Sequence, residues 1–154
     1  MLMARRRWVF RSTAILTLAA VALCFFVAWR RDVTTIQSHL DSASGIVAEL
    51  QAQTQAFGLL PAELPQPGKG GFRYYASDAD RYYAAQTREP TIVGASVPIQ
   101  LVLLRNGRVV IIHDQGRVSA KWLPESEYES LWTDQESRIE EFERKRKAQP
   151  IQLP

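Results

Sequence analysis

One apolar stretch, residues 12–29, constrains this chain more than any other feature of its sequence. It holds 18 consecutive residues without a charged side chain. At ~1.5 Å of rise per residue, a helix of that length spans ~27 Å, close to the ~30 Å hydrocarbon core of a bilayer. We therefore predict that residues 12–29 form a transmembrane helix.

Basic and aromatic residues flank this apolar run on both sides, which is typical of the membrane interfaces. The flanking residues are Arg5, Arg6, Arg7, Trp8, Arg11, Trp29, Arg30 and Arg31. More arginines precede the run than follow it, so the basic N-terminus, residues 1–11, is predicted to stay in the cytoplasm. The C-terminal domain is then extracytoplasmic, and periplasmic if the source is bacterial.

A cleaved signal peptide is the alternative interpretation of the run, and it requires small residues at a cleavage site. Residues 27–31 are Val, Ala, Trp, Arg and Arg, which do not fit such a site. The sequence therefore favours an uncleaved, single-pass signal anchor. Cys24 is the only cysteine and lies inside the run, so the rest of the chain has no disulfide to stabilise it.

Charge and histidine content exclude several classes of function. Six of the 19 Lys and Arg residues precede Asp32, whereas all 16 Asp and Glu residues lie at or after it. The part beyond the anchor is thus net acidic, which argues against nucleic-acid binding. His39 and His113 have no second His or Cys at ligand spacing, so we expect no metal, no cofactor and no catalytic site.

Two local acidic patterns have a structural and a functional interpretation. His113 and Asp114 resemble an acid–base pair, but no nucleophile is tied to them, so we interpret them as residues beside a turn. Asp78 and Asp80 resemble the start of a calcium loop, but the Gly and the distal Glu of such a loop are missing. A helix N-terminus capped near Ser77 is the favoured interpretation of that segment.

A helical stalk is predicted to follow the anchor, over residues 30–58. Its apolar positions alternate in spacing between three and four, which is the pattern of a coiled-coil seam. The seam consists of Val33, Ile36, Leu40, Val47, Leu50 and Phe57, with the weaker positions Ala43 and Thr54. Two interpretations remain open: the seam pairs with a second copy in parallel, or it packs against the chain's own domain.

A linker rich in Pro and Gly, residues 59–71, is predicted to separate the stalk from a small domain at residues 72–147. Five aromatic residues between positions 72 and 83 suggest either a stacking platform for a ligand or packing in a small core, and we favour the core. The domain is expected to fold without the stalk. The tail, residues 148–154, is expected to be disordered.

The domain pattern predicts an antiparallel meander. Asn-Gly at positions 106–107 lies between two β-rich runs, residues 99–105 and 108–113, and predicts a hairpin. A turn at 114–116 leads to a third strand, residues 117–123, and an amphipathic helix follows. The predicted fold class is α+β: an N-terminal transmembrane helix and helical stalk, then a small antiparallel β-meander with a C-terminal amphipathic helix, and the helices on one face of the sheet.

This order of elements is similar to that of type IV pilin-like proteins and the pseudopilins of type II secretion. The similarity lies mainly in residues 72–131, where the segments 110–118 and 124–131 resemble a closing strand–turn–strand and an acidic helix. It implies a component of a secretion or pilus system. The chain departs from the family in two ways, because residues 7–10 offer no processing Gly and no Glu lies near the start of the apolar run.

Taken together, the sequence favours a non-enzymatic assembly or scaffold protein, anchored by one span and presenting a small α+β domain outside the cytoplasm. Its expected partners are the lipid bilayer and either a second copy, through the stalk, or another envelope protein. The alternative is the pilin-like component implied by the resemblance.

Overall fold

A single helix dominates the structure. The computed structural model describes the backbone of residues 2–63, 71–87 and 89–148, and the side chains of these residues from position 15 onward. Helix α1, Leu2–Phe57, is unbroken over 56 residues. It ends at Gly58, whose φ of +72° is the left-handed conformation that favours glycine after a helix. The predicted apolar run and the predicted stalk therefore form one continuous rod.

The rest of the described chain forms a four-stranded sheet with two further helices. In chain order these are β1 (Phe72–Tyr74), α2 (Asp78–Gln86), β2 (Thr91–Ser96), β3 (Gly107–Asp114), β4 (Arg117–Pro124) and α3 (Glu125–Ala148). The strand order is β1-β2-β3-β4 and every pair is antiparallel. The predicted α+β class, with an antiparallel meander and a C-terminal helix, is confirmed.

Helices cover both faces of this sheet, so the prediction that they share one face was wrong. On one face, Val109, Ile111 and Val118 pack with Ala43 and Leu50 of α1. On the other face, Val110 and Ile112 pack with Tyr128 of α3. The physical reason is that β3 is apolar at successive positions. Because successive side chains of a strand point to opposite faces, β3 presents an apolar surface on each face of the sheet.

The predicted first hairpin was also wrong. Residues 99–105 form a loop, and the partner of β3 on the side away from β4 is β2, which the sequence analysis did not identify. The second turn and third strand are confirmed, because β3 and β4 pair from Asp114 and Arg117 onward. Gln115 and Gly116, with φ of +49° and +80°, form the tight turn between them.

Helix α2 begins as the sequence predicts. Ser77 caps α2 through a reciprocal pair of bonds with Asp80, so the predicted cap is confirmed. Helix α3 begins at Glu125 directly after β4, and its buried Gln135 is hydrogen-bonded to both backbone groups of Ile92, at 2.6 and 2.9 Å. Most of the predicted linker, residues 64–70, and the tail from residue 149 lie outside the described residues.

Candidate functional site

The feature of the described chain that sequence reasoning missed is a buried carboxylate on α1. Asp32 is 1% exposed, three residues after Trp29 at the end of the apolar run. Its carboxylate accepts hydrogen bonds from the backbone N–H groups of Val102 (2.9 and 3.1 Å), Leu103 (2.7 Å) and Leu104 (2.9 Å). Three successive N–H groups directed at one anion form a nest. The bonds fix the loop to the helix at this point.

Opposing effects act on the pKa of Asp32. Burial of the carboxyl raises its pKa, but the three backbone hydrogen bonds and the positive charge of Arg31 lower it by more. The net result is a pKa below the ordinary value of 3.8. Asp32 is therefore ionised at neutral pH, and its charge strengthens the three bonds.

We call residues 97–106 the apolar loop. A bridge joins Ile99, near its start, to Gly107, the first residue of β3, and the backbone N–H of each donates to the carbonyl of the other, at 2.8 and 3.3 Å. Inside the loop, the N–H of Leu101 donates to the side-chain oxygen of Asn106 at 2.8 Å. Together with Asp32, these contacts give the loop a defined shape without a helix or strand.

Gly107 is required where the loop enters β3. A Cβ atom at this position would lie 2.1 Å from the carbonyl oxygen of Leu123 and 2.8 Å from the ring of Trp122. The backbones of β3 and β4 thus approach more closely than any side chain allows. The Asn-Gly pair that resembles a hairpin turn in the sequence is instead a close contact between strands.

The residues predicted to flank a membrane span divide between described and undescribed parts of the chain. The side chains of Arg5, Arg6, Arg7, Trp8 and Arg11 lie outside the described residues, as do those at the first three positions of the run, 12–14. Trp29, Arg30 and Arg31 are exposed on α1. Within the described part of the chain, no helix combines the length and apolar character needed to cross a membrane.

The predicted stalk seam is brought against the sheet only in its middle part. Leu50 and Ala43 are fully buried there, Leu40 and Val47 pack at the edge of the same cluster, and Ile46 is buried although it was not counted in the seam. The ends of the seam differ: Ile36 is half-buried, whereas Val33 and Phe57 are exposed. Between residues 40 and 54, the seam therefore packs on the chain's own domain, as the second of the two interpretations predicts.

Gln51 marks how far along α1 the sheet extends. Its side chain accepts from the N–H of Val118 at 2.6 Å and donates to the carbonyl of Gly116 at 3.0 Å. It lies 19 residues beyond Asp32, which corresponds to ~28 Å along a helix axis. The sheet therefore stands alongside α1, with the apolar loop at the end near Trp29 and the β3–β4 turn at the far end.

His113 lies at a shallow cavity of about 510 Å³ beside the β3–β4 turn. Burial lowers its pKa from the ordinary 6.5, and the nearby charge of Asp114 opposes this. Its Nδ1 has no hydrogen-bond partner among the described residues. The two threonines of the cavity donate to helix carbonyls, Thr54 to Leu50 and Thr87 to Tyr83, and neither hydroxyl is hydrogen-bonded to His113 as an activated nucleophile would be.

The aromatic residues between positions 72 and 83 do not form one stacking surface. Phe72 is buried in the core, and the hydroxyl of Tyr74 donates to the carbonyl of Pro61, with burial raising the pKa of Tyr74 to about 12. Tyr75 packs against Trp132 with ring centres 4.9 Å apart. Tyr83 is also buried and meets Phe142 edge-on. These contacts fit the favoured interpretation of packing.

Neither metal ligation nor similarity to a known protein adds to this geometry. Over the residues that the structure describes, no three His, Cys, Asp or Glu side chains are grouped as a metal site would need. Comparison with models of protein families, with curated proteins and with solved structures found no match. The arrangement itself is that of a long helix with an exposed apolar part and a part built into an α+β domain.

Proposed function

We propose that this chain is a non-enzymatic, single-pass membrane protein that holds a small α+β domain in a fixed position at the extracytoplasmic surface, where it serves assembly as a scaffold. Residues 12–29 are the span in this proposal. One observation carries it. The described apolar side chains of the run are exposed on every side of α1, with large residues between 45% and 71% exposed from Ile15 to Trp29.

Lipid is the solvent that such a surface requires. A helix that buries a stripe against its own protein is apolar on one face, whereas a helix apolar all round needs an apolar environment all round. The residues that α1 contributes to the described core lie beyond the run, from Leu40 at the edge of the core to the fully buried Ala43 and Leu50. Arg30, Arg31 and Trp29 then lie where an interface is expected.

The rigid display of the domain follows from the continuity of α1. The helix has no break between the apolar run and the residues that pack on the sheet. The domain therefore cannot swing on a flexible linker, since the helix that enters the bilayer is also an element of its core. A fixed orientation suits a protein that positions a partner. Because the seam positions Ala43 and Leu50 are buried against the sheet, that partner contacts a surface other than this part of the seam.

The anchor is tested by fractionation of the full chain. We expect it to stay with membranes after an alkaline carbonate wash, and a fused reporter at the C-terminus to be active only outside the cytoplasm. Leu23→Arg, at the centre of the run, should release much of the protein, whereas Ser38→Arg, on the exposed face of α1 beyond it, should not. Full release of the unaltered chain by carbonate would reject the proposal.

The scaffold role needs its own test. Complexes released from native membranes in mild detergent should be larger than one chain with its micelle. The control is a known envelope complex that stays intact in the same detergent. If this chain is then found as a particle of the mass of one chain, the scaffold role is rejected and only the anchor remains.

A pilin-like component is the second candidate, and one observation favours it. A single helix runs from the apolar N-terminal part into contact with an antiparallel sheet, which is the order of elements behind the resemblance. Processing distinguishes the candidates. A mature N-terminus near Trp8 would support the pilin-like component, whereas intact Met1 or Leu2 supports the anchored scaffold.

A further inference from the structure

The apolar loop exposes four large hydrophobic side chains. Val102 is 62% exposed, Leu103 39% and Leu104 37%, and Val97, at the start of the loop, is 45% exposed. Three of these are consecutive and project from backbone that is held rigidly by Asp32. Large apolar side chains clustered at one place on a small domain mark a surface that contacts another protein or a membrane.

The position of the loop identifies what covers it. Its N–H groups contact Asp32, which lies three residues, or ~4.5 Å along the helix axis, beyond Trp29. The β3–β4 turn, in contrast, contacts Gln51 much farther along α1. The exposed leucines and valine are thus at the one end of the domain that adjoins the apolar run.

We propose that the apolar loop is a second membrane contact, in which Val102, Leu103 and Leu104 enter the interfacial layer of the bilayer beside α1. This inference rests on the proposed span at residues 12–29. The domain would then be held to the membrane at two points, the helix and the loop, which fixes its tilt as well as its distance.

The hydrogen bonds of Asp32 are what such a contact needs. A loop that enters an apolar layer loses water from its backbone, and each N–H without a partner is then costly. One carboxylate accepts from all three of the N–H groups concerned. Arg30, Arg31 and Arg105 are exposed around this point, where their charges can meet lipid phosphates.

A depth measurement in vesicles tests the loop directly. The full chain carrying Cys24→Ala receives one cysteine, labelled with an environment-sensitive fluorophore, and is placed in vesicles of phosphatidylcholine and phosphatidylglycerol. Val102→Cys reports the loop, Gln115→Cys the far turn and Val21→Cys the span. We expect a nitroxide placed high on the acyl chain to quench Val102→Cys by at least half, and Gln115→Cys hardly at all.

The outcomes separate the two proposals. A quenched Val21→Cys with a water-like Val102→Cys overturns the loop contact and leaves the anchor intact. A Val21→Cys that no nitroxide quenches overturns the anchor itself. If Val102→Cys reports an apolar environment that nitroxide lipids do not quench, protein covers the loop, and the lipid contact is rejected in favour of a second copy.

The role of Asp32 is tested in the same vesicles. Asp32→Asn should reduce the quenching at Val102→Cys at least twofold, because an amide cannot accept from all three N–H groups. Asp41→Asn is the matched control, since Asp41 is exposed on the same helix and bonds only within it. Unchanged quenching in Asp32→Asn, with unchanged circular dichroism, would show that Asp32 does not position the loop.

Discussion

Truncation of Leu50 distinguishes the two interpretations of the stalk seam. Leu50 is fully buried, in a cluster that includes Val109, Ile111 and Val118 from the sheet. Leu50→Ala removes Cγ and both methyl groups from the centre of this contact. In a paired stalk, the same change would instead weaken association between chains and leave the domain unaltered.

The size of the effect follows from how little the site can collapse. A buried Leu→Ala change costs about 2–5 kcal/mol, with the larger values where the cavity persists. The neighbours of Leu50 on the sheet are held by strand pairing, so they cannot move into the space. We therefore expect a loss of about 3–4 kcal/mol in the free energy of unfolding, in the upper part of that range.

Urea unfolding of the full chain in detergent micelles measures this loss, with the tryptophan fluorescence of the domain as the signal. For a slope of about 2 kcal/mol per molar urea, the midpoint should fall by about 1.5–2 M. Phe57→Ala is the matched control, since Phe57 belongs to the same seam but is 79% exposed. Its effect should stay within about 0.5 kcal/mol. Equal midpoints for the two variants would refute the packing of the seam on the sheet.

Three further changes test other parts of the fold by the same unfolding measurement. Gly107→Ala should cost about 3 kcal/mol because its Cβ would overlap the backbone of β4, whereas Gly45→Ala, in open space on α1, should add about 0.5–1 kcal/mol. Gln135→Leu leaves the N–H and C=O of Ile92 buried without partners and should cost about 2 kcal/mol or more, with faster amide exchange at Ile92 as the specific sign. His113 should make stability fall as the pH drops through 6.5, the ordinary pKa of the group, by at most about 1.4 kcal/mol per pH unit, because burial lowers its folded pKa and the unfolded chain takes up the proton first; His113→Gln should flatten this slope.

Elements with a regular local pattern were predicted well from the sequence. The apolar spacing along α1, the alternation of β4 and the Ser77 cap each depend on neighbouring residues only, and the structure has all three. Strand β2 was missed because all six of its residues are buried, so it has no alternation, and a register shift beside Val93 interrupts its pairing. Periodicity cannot identify a short strand of this kind.

The candidate site depends on contacts that no local pattern contains. Asp32 meets its partners 70 to 72 residues later in the chain. The run at 101–104 has the composition of a strand, and its interpretation as a strand failed because its N–H groups bind a carboxylate.

Under the proposed membrane anchor, the continuity of α1 also links the stability of the domain to the span. A helix that starts in hydrocarbon would already be nucleated where it leaves the bilayer, because its backbone groups must be bonded there. Residues 33–57 continue that helix and present Ala43 and Leu50 to the sheet. We therefore expect a fragment that begins near Val33 to unfold cooperatively but at lower urea than the anchored chain, since it must nucleate the helix itself.

A shorter fragment shows what the sheet needs from α1. The sequence alone favours a domain at residues 72–147 that folds by itself. In the structure the same fragment lacks Ala43, Ile46 and Leu50, which cover one face of the sheet, so that face would be open to water. We expect a fragment beginning at Gly70 to be unfolded or aggregated by circular dichroism and light scattering. Adding a peptide of residues 33–58 should restore a cooperative transition, and a fragment that is monomeric and folded without the peptide would contradict this account of the core.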